Sequence, residues 1–304
     1  MQRPYRGIWP VVPTPFTADG ALDLEGQKRV LDCMIDQGVD GICILANYSE
    51  QFLLSDEERD ILTRLCLEHV GGRVPTIVTC SHFSTGIVVE RTKRAKELGA
   101  AMIMLMPPYH GATLKGSSDG IREQFARAGD VGLPIMVQDA PLAGVDMSVD
   151  LLVRLAREIS AVRYFKIETA MAANKLRALI AEGGDVIEGP FDGEEGITLM
   201  ADLEAGATGS MTSALLPDLI RPIIQSFAAG DHASAASQYA RMLPLINYEN
   251  RQCGLRACKT VMQEGGVIKS DHVRHPMSQL PPATRAGLLA LAREVEPLAL
   301  RWGK

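Results

Sequence analysis

The sequence lacks an excess of basic residues, a long apolar run and, at its start, the layout of a signal peptide. Lysine and arginine total 31 against 37 for aspartate and glutamate, a net charge of −6, whereas nucleic-acid binding needs a basic face. No apolar run is long enough to span a bilayer, and the opening MQRPYRGIWPVVPTPF does not read as a leader. We therefore expect a cytoplasmic protein with neither a nucleic-acid nor a membrane partner.

The sequence also lacks the paired cysteines and histidines of a zinc site. Its six cysteines and six histidines are scattered, and several cysteines fall inside helix or strand patterns. His272 and His275 lie close to Asp271 in SDHVRHP, but no further ligand is spaced to join them, so we interpret the segment as a polar loop. We expect free thiols and no bound metal.

What the chain does contain is a repeated alternation of short apolar runs and amphipathic stretches over residues 1–228. Each of eight strand candidates is followed by a helix candidate: GIWPVV, DGICILA, VPTIVTC, AAMIMLM, LPIMVQ, AVRYFKIE, DVIEG and ATGSMTS. Continuous apolar runs are typical of parallel strands that are covered on both faces. The pattern predicts an α/β fold, a TIM (β/α)8 barrel.

A doubly wound sheet is the alternative to the barrel. It would usually carry a glycine-rich dinucleotide turn after its first strand, but VVPTPFTADG follows here, without G-x-G-x-x-G. Residues 229–304 predict about three more helices, at 231–248, 250–264 and 282–297. We expect them to form a C-terminal helical extension packed on the barrel.

The segment RYFKIETA places Lys166 inside the sixth predicted strand. A buried ammonium is costly, so this lysine must reach solvent, find a carboxylate or lose its proton and become a nucleophile. It lies near the carboxyl end of the strand, where TIM barrels hold their active groups, and alternation puts Glu168 on the same side. From position alone, a solvent-reaching or ion-paired lysine is the commoner case.

The other predicted strand ends carry hydroxyl, amide and carboxylate groups. They read PTP, NYSE, PPYH, QDAP, GPFD and MTS, in chain order. Such a ring around one amine suits a small polar substrate that has a carbonyl and a carboxylate. An amine condenses with a ketone to give an iminium, an electron sink that acidifies the neighbouring carbon. Cleavage, condensation or elimination can follow.

Several segments together are similar to one family of Schiff-base TIM barrels. They are GIWPVVPTPFTADGALDLEG, GVDGICILANYSEQFLLSDEER, RVPTIVTC, KELGAAMIMLMPPY, LPIMVQDAP, YFKIETA and EAGATGSMTS. The chain resembles the dihydrodipicolinate synthase and N-acetylneuraminate lyase family over nearly its whole length. The resemblance implies that Lys166 forms an imine with a 2-keto acid. It also implies a homotetramer, a dimer of dimers, with no metal or organic cofactor.

The chain departs from the family pattern at two strand ends. The family's G-T-T-G-E turn, which binds the keto acid's carboxylate, is replaced by ANYSE, where Asn47, Tyr48 and Ser49 can still supply donors. The family's Y-N-x-P is replaced by QDAP, so Gln138 stands where a proton-relaying tyrosine is usual. Glutamine cannot act as an acid or base at neutral pH, which argues against a synthase or aldolase. Tyr109 remains as a phenol near the mouth.

These departures are similar to the sugar-acid dehydratase branch of the family. The segments VQDAP, KIET, FDGEEG and RQCGLRACKTVMQEGGVIKSDHVRHP resemble 2-keto-3-deoxy-L-arabonate dehydratases. The resemblance implies dehydration of that acid to 2,5-dioxopentanoate (α-ketoglutarate semialdehyde), a step of pentose breakdown such as L-arabinose degradation. Three alternatives stay open: a class I aldolase releasing pyruvate and an aldehyde, a dehydratase of a six-carbon acid, and a non-catalytic keto-acid sensor.

Individual roles follow from these positions, each with a structural alternative. The base that takes a proton from the substrate is Glu168, Tyr48 or Tyr109, and Glu168 could instead be a plain ion-pair partner of Lys166 or Arg163. We interpret Glu50 as a packing or pairing residue. The substrate-binding candidates, which include those for the distal hydroxyls, are Asn47, Tyr48, Ser49, Gln138, Asp192, Glu195, Ser210, Thr212 and Ser213. Asp192 and Glu195 could instead be helix-start carboxylates.

Overall fold

The computed structural model describes residues 5–111, 114–140, 144–145 and 147–304. Its strands are β1 (Gly7–Ile8), β2 (Ile42–Ile44), β3 (Thr76–Thr79), β4 (Met102–Leu105), β5 (Tyr109–His110), β6 (Leu114–Lys115), β7 (Ile135–Asp139), β8 (Val162–Ile167), β9 (Gly189–Asp192) and β10 (Gly209–Ser210). Eight of them correspond to the eight predicted strands. The other two, β5 and β6, form an antiparallel hairpin that the apolar pattern did not predict.

The helices are α1 (Leu24–Asp36), α2 (Asp56–Val70), α3 (Thr85–Glu97), α4 (Ser118–Gly129), α5 (Val149–Glu158), α6 (Ala172–Gly183), α7 (Leu199–Glu204), α8 (Pro217–Ala228), α9 (His232–Tyr248), α10 (Arg256–Glu264) and α11 (Pro282–Val295). A capping box, which the sequence SDEE at residues 55–58 predicts, opens α2: Ser55 Oγ accepts from Glu58 N at 3.1 Å, and Ser55 N donates to Glu58 Oε2 at 3.0 Å. Both orphan donors are thereby satisfied.

One compact unit comprises residues 5–6, 75–194 and 198–211 and is called the first unit. Its strands β3, β4, β7, β8, β9 and β10 pair in that order, all parallel. The side chains of these strands are largely apolar and buried, as the continuous hydrophobic runs predict. Fully buried examples are Met102, Ile103, Ile135, Met136 and Phe165.

The second unit comprises residues 7–74, 195–197 and 212–304 and contains β1, β2, α1, α2 and α8–α11. Val11 bridges in parallel to Cys43 and to Ser213, so the segments at the first, second and eighth strands run in the same direction. The three C-terminal helices α9–α11 are present as expected. The boundary at residue 228, and the packing of 229–304 on the barrel, stay predictions.

Eight parallel strands that alternate with eight helices are the pattern of a TIM (β/α)8 barrel, and this fold class is confirmed. Two boundaries were wrong. The seventh barrel strand starts at Gly189, because Gly184–Val186 form a 3-10 turn instead. The seventh helix candidate, for which the sequence pattern predicts residues 194–204, begins at Leu199, because Glu195 and Gly196 have positive φ values of 52° and 84°. Within the described ranges, no helix is both long and apolar enough to cross a bilayer.

Candidate active site

The pairing of β7 with β8 decides which side chains share a face at the carboxyl end of the first unit's strands. Gln138 is the register partner of Lys166, and Asp139 is the partner of Ile167. Since side chains alternate along a strand, Gln138 and Lys166 point one way and Asp139 the other. Accordingly, Asp139 Oδ2 pairs with Lys175 of α6 at 2.6 Å.

Lys166, Glu168 and Gln138 form one cluster. Lys166 Nζ lies 3.1 Å from Glu168 Oε2, and Gln138 Nε2 donates to that same oxygen at 2.8 Å. Lys166 and Gln138 are buried, whereas the Glu168 side chain keeps 15% of its exposure. The Lys166–Glu168 ion pair, which the sequence offered as the alternative to a base role for Glu168, is therefore present. Arg163, the other partner considered for Glu168, pairs with Glu188 at 2.6 Å.

Only the nitrogen of the Gln138 amide is hydrogen-bonded within the described residues. Its Oε1 is buried and has no hydrogen-bond partner among the described residues. A buried acceptor without a partner is costly, so this oxygen is available to a donor on a bound molecule. Gln138 thus holds the Glu168 carboxylate with one atom and offers an acceptor with the other.

Gly193 lies against the stem of Lys166, and sequence reasoning missed it. A Cβ at this position would lie 2.7 Å from Ile167 O and 2.9 Å from Lys166 Cγ. Both contacts are far inside van der Waals distance, so only glycine lets the chain after β9 pass this close to the lysine. The one signal in the sequence was the glycine that follows the strand-end aspartate in FDGEEG.

Asp192 and Ser210 are brought together, but on the face opposite to Lys166. Phe191 is the register partner of Lys166, and Asp192 that of Ile167. Asp192 is fully buried; its Oδ2 accepts from Ser210 Oγ and its Oδ1 from Glu194 N at 3.3 Å. Their substrate-binding role stays a prediction.

A second carboxyl lies beside Asp192. Asp202 of α7 accepts from Thr198 Oγ1 at 2.7 Å. Burial, together with the charge of Asp202, raises the pKa of Asp192 to about 7. Burial also raises the pKa of Asp202. Two carboxyls this close favour a shared proton over two negative charges.

Tyr109 lies in β5 and is half-buried. Burial raises the pKa of its phenol, which keeps the hydroxyl protonated at neutral pH. Tyr109 can therefore donate a hydrogen bond more readily than it can remove a proton from carbon. Of the three predicted bases, Glu168 has its Oε2 within 3.1 Å of the lysine nitrogen.

In the second unit, Asn47–Ser49 form a 3-10 turn just after β2. Ser49 Oγ accepts from Ala46 N at 3.1 Å and donates to Val12 O at 2.6 Å, so this hydroxyl already serves the turn. Asn47 Oδ1 accepts from Gln51 Nε2 at 2.8 Å. Asn47 Nδ2, by contrast, is buried without a hydrogen-bond partner among the described residues. It is a donor that a bound anion can use.

Ser213, at the eighth barrel strand, is also engaged within the second unit. Its Oγ accepts from Leu215 N at 3.2 Å, and its side chain is hydrogen-bonded to the buried Glu249, whose pKa burial raises to about 7. Glu50, interpreted as a pairing residue, pairs with Lys259. Across the described ranges, no group of three metal-ligating side chains is present.

A parallel (β/α)8 fold with a buried lysine beside a carboxylate at the carboxyl ends of the strands is the arrangement of TIM-barrel enzymes that use a lysine Schiff base. The model of the Dihydrodipicolinate synthetase family matches residues 4–294. The chain belongs to this family, as the sequence resemblance indicated.

Individual relatives differ widely in their similarity to the chain. It is 60% identical over 299 residues to an L-2-keto-3-deoxyarabonate dehydratase of Azospirillum brasilense, covering 98% of this chain and 97% of that one. It is 29% identical to a 4-hydroxy-tetrahydrodipicolinate synthase of Stenotrophomonas maltophilia, covering 96% and 97% of the two chains. Among solved structures, YagE of E. coli K12 in complex with pyruvate is 27% identical with a TM-score of 0.88, covering 96% and 99%.

Proposed function

We propose that this protein is a hydro-lyase that converts 2-keto-3-deoxy-L-arabonate to 2,5-dioxopentanoate and water through an imine on Lys166. The observation that carries the chemistry is the Gln138–Glu168–Lys166 cluster, in which one carboxylate oxygen meets both the amine and the amide. The substrate follows from the 60% identity to a dehydratase of that name over 98% of the chain.

The first step forms the imine. Neutral Lys166 Nζ attacks the C2 keto carbon, and the carbonyl oxygen leaves as water after two proton transfers. Glu168, 3.1 Å from the nitrogen, takes the ammonium proton and returns it to the departing oxygen. The resulting iminium withdraws electrons from C3, whose hydrogens become acidic.

The second step is elimination. The Glu168 carboxylate removes a proton from C3, the electron pair forms a C3–C4 double bond, and the C4 hydroxyl leaves as water with a proton. Loss of a C5 proton and gain of a proton at C3 leave a C4–C5 enol. The enol then loses its hydroxyl proton and gains a proton at C4, which gives the C5 aldehyde. Hydrolysis of the imine then releases the semialdehyde and Lys166. The net change is the loss of one water.

Gln138 explains why elimination is favoured over carbon–carbon cleavage. An aldolase must remove the proton from the C4 hydroxyl, a task that the family's strand-five tyrosine can relay. An amide cannot accept that proton at neutral pH, but its N–H can orient the Glu168 carboxylate. Its unpartnered Oε1 suits a hydrogen bond from a substrate hydroxyl.

The substrate carboxylate is assigned to the turn after β2. The family resemblance implies this role, and the unpartnered Asn47 Nδ2 supports it. Tyr48 supplies a further hydroxyl, while Ser49 shapes the turn through its bonds to Ala46 and Val12. A role of Asp192, Ser210 and Ser213 toward the distal hydroxyls stays a prediction that the geometry does not favour: Asp192 and Ser210 face away from Lys166 and bond to each other, and Ser213 Oγ accepts from Leu215 N.

Product analysis tests the proposal. Purified protein is incubated with 2-keto-3-deoxy-L-arabonate and the products are identified by mass, with Lys166→Ala as the control. The expected product has lost one water and is oxidised by an aldehyde dehydrogenase. Pyruvate with a two-carbon aldehyde would establish the aldolase instead. If 2-keto-3-deoxy-L-arabonate stays unchanged and a six-carbon keto-deoxy acid is turned over, the substrate is the six-carbon acid.

We also propose a homotetramer, a dimer of dimers, in the cytoplasm. The basis is the family resemblance for the assembly and, for the location, the six free cysteines, which suit a reducing compartment. Light scattering coupled to size exclusion tests the first, with a tetramer mass expected. Fractionation of the source cells tests the second, with activity expected in the cytoplasmic fraction.

A further inference from the structure

A second buried lysine, Lys259 of α10, lies in the second unit and takes no part in the steps above. The residue is fully buried. Its Nζ donates to Glu50 Oε1, to His272 O at 2.5 Å and to Thr14 O at 3.3 Å. An ammonium has three N–H donors, so all of them are used. Such a fully bonded lysine holds its neighbours in place and is a poor nucleophile.

Glu50, the carboxylate partner of Lys259, is the residue that ends the Asn47–Ser49 turn. It is 2% exposed and has a left-handed backbone, with φ of 57°. Leu45, on the other side of the turn, also has a positive φ of 60°. Residues other than glycine adopt this region only where their surroundings hold them there. The Lys259–Glu50 ion pair is one such restraint.

Thr14 links Lys259 to the turn a second time. Its carbonyl oxygen accepts from Lys259, and its Oγ1 donates to Ser49 O at 2.7 Å. Lys259 therefore contacts both the residue that ends the turn and the residue that holds Ser49. Removing its ammonium would release Thr14 O and leave the Glu50 carboxylate buried without its main partner.

Arg274 reinforces the same region from the loop after α10. It pairs with Glu58 at 2.5 Å and donates to Leu53 O at 2.9 Å. Its guanidinium carbon lies 4.3 Å from the centre of the Phe16 ring, and Lys259 Nζ lies 4.7 Å from that centre. Two cations from the C-terminal region thus contact the same ring.

We propose that Lys259 is a positioning residue for substrate binding: the C-terminal region holds the keto-acid-binding turn in its working shape through the Lys259–Glu50 pair. This inference rests on the proposed function, in which that turn binds the carboxylate. The carboxylate is bound equally in the ground state and in the transition state. Loss of Lys259 therefore raises KM and leaves kcat nearly unchanged.

The test compares Lys259→Met with wild type and with Arg285→Met. Arg285 belongs to the same C-terminal region and pairs with Glu264 at 3.7 Å and Asp271 at 3.6 Å; in the described part of the chain, its side chain has no partner in the Asn47–Ser49 turn but bonds to Gln263 Oε1. For Lys259→Met we expect KM to rise about tenfold or more with kcat within about threefold of wild type. Arg285→Met should change neither. If Lys259→Met does not fold, Glu50→Gln replaces it as the test variant, and its KM should also rise.

A second readout separates the two proposals. Pyruvate has the same 2-keto carboxylate, so the concentration that gives half-maximal borohydride trapping of wild type and variant reports binding without dehydration. A rise for Lys259→Met supports the inference even where the sugar acid is not turned over, an outcome that overturns only the proposed function. The inference would be overturned if the wild type is active and Lys259→Met is less stable but has an unchanged KM and unchanged trapping. Lys259 would then be a purely structural residue.

Discussion

Replacing Gln138 by leucine removes one hydrogen bond from Glu168 while keeping a side chain of similar size in a fully buried position. The lost bond is the 2.8 Å contact from Gln138 Nε2 to the oxygen that also meets Lys166. A hydrogen bond to a charged group is worth about 1.5–3 kcal/mol. At about 1.4 kcal/mol per tenfold change in rate, kcat should fall by about ten- to 150-fold.

The assay is steady-state dehydration coupled to oxidation of the semialdehyde, with borohydride trapping measured in parallel. Trapping should persist in Gln138→Leu, because Lys166 is unchanged. Gln37→Leu is the matched control: Gln37 is also buried and donates to Ala214 O at 3.4 Å, so its loss should lower stability and spare kcat. A Gln138→Leu enzyme with kcat within about threefold of wild type would refute the orienting role.

Three further predictions concern the same region. Glu168→Gln should lower kcat by about 10²- to 10⁴-fold while borohydride trapping continues; a fast variant in the steady-state assay would exclude Glu168 as the base. Gly193→Ala, whose Cβ would lie 2.7 Å from Ile167 O, should cost about 1–3 kcal/mol in denaturant unfolding, whereas Gly86→Ala, with nothing nearer than 3.7 Å, should not. The pKa of Asp192 is raised from 3.8 to about 7. The stability that its buried proton contributes is therefore fully present below pH 3.8 and is lost as the pH rises to about 7. Asp192→Asn should flatten the curve of unfolding free energy against pH in this range, and an unchanged slope would contradict the buried proton.

The barrel fold and the position of Lys166 near the carboxyl end of the sixth strand were predictable, because each depends on local sequence patterns. Continuous apolar runs followed by amphipathic stretches indicated the barrel, and the period of two along the sixth barrel strand put Glu168 on the side of Lys166. The bond from Gln138 to Glu168 was not predictable in the same way. It depends on the register between β7 and β8, which no single strand encodes.

The orientation of Asp192 could not be predicted because the seventh strand was placed wrongly. The seventh strand was expected to cover DVIEG, but it runs from Gly189 to Asp192. The shift left the phase of its alternation undetermined. The structure turns Asp192 toward Ser210 and away from the face of Lys166. A correct strand boundary would have put Phe191 and Asp192 on opposite faces, but only the register with β8 assigns Phe191 to the face of Lys166.

Lys259 was missed for another reason. In LRACKTVMQEGG it reads as an ordinary helix lysine, and the helix periodicity does not reveal that its neighbours Ala257, Cys258, Thr260, Val261 and Met262 are all buried around it. Its partner Glu50 is 209 residues away in sequence. Long-range pairing of this kind becomes visible only once the chain is folded.

The central claim is that the reaction passes through an imine on Lys166. Its most direct test is borohydride reduction in the presence of 2-keto-3-deoxy-L-arabonate, followed by digestion and mass analysis of the modified peptide. The account predicts a reduced adduct on Lys166 in wild type and neither adduct nor turnover in Lys166→Ala. An adduct on Lys259 or Lys175, or dehydration by Lys166→Ala, would contradict it.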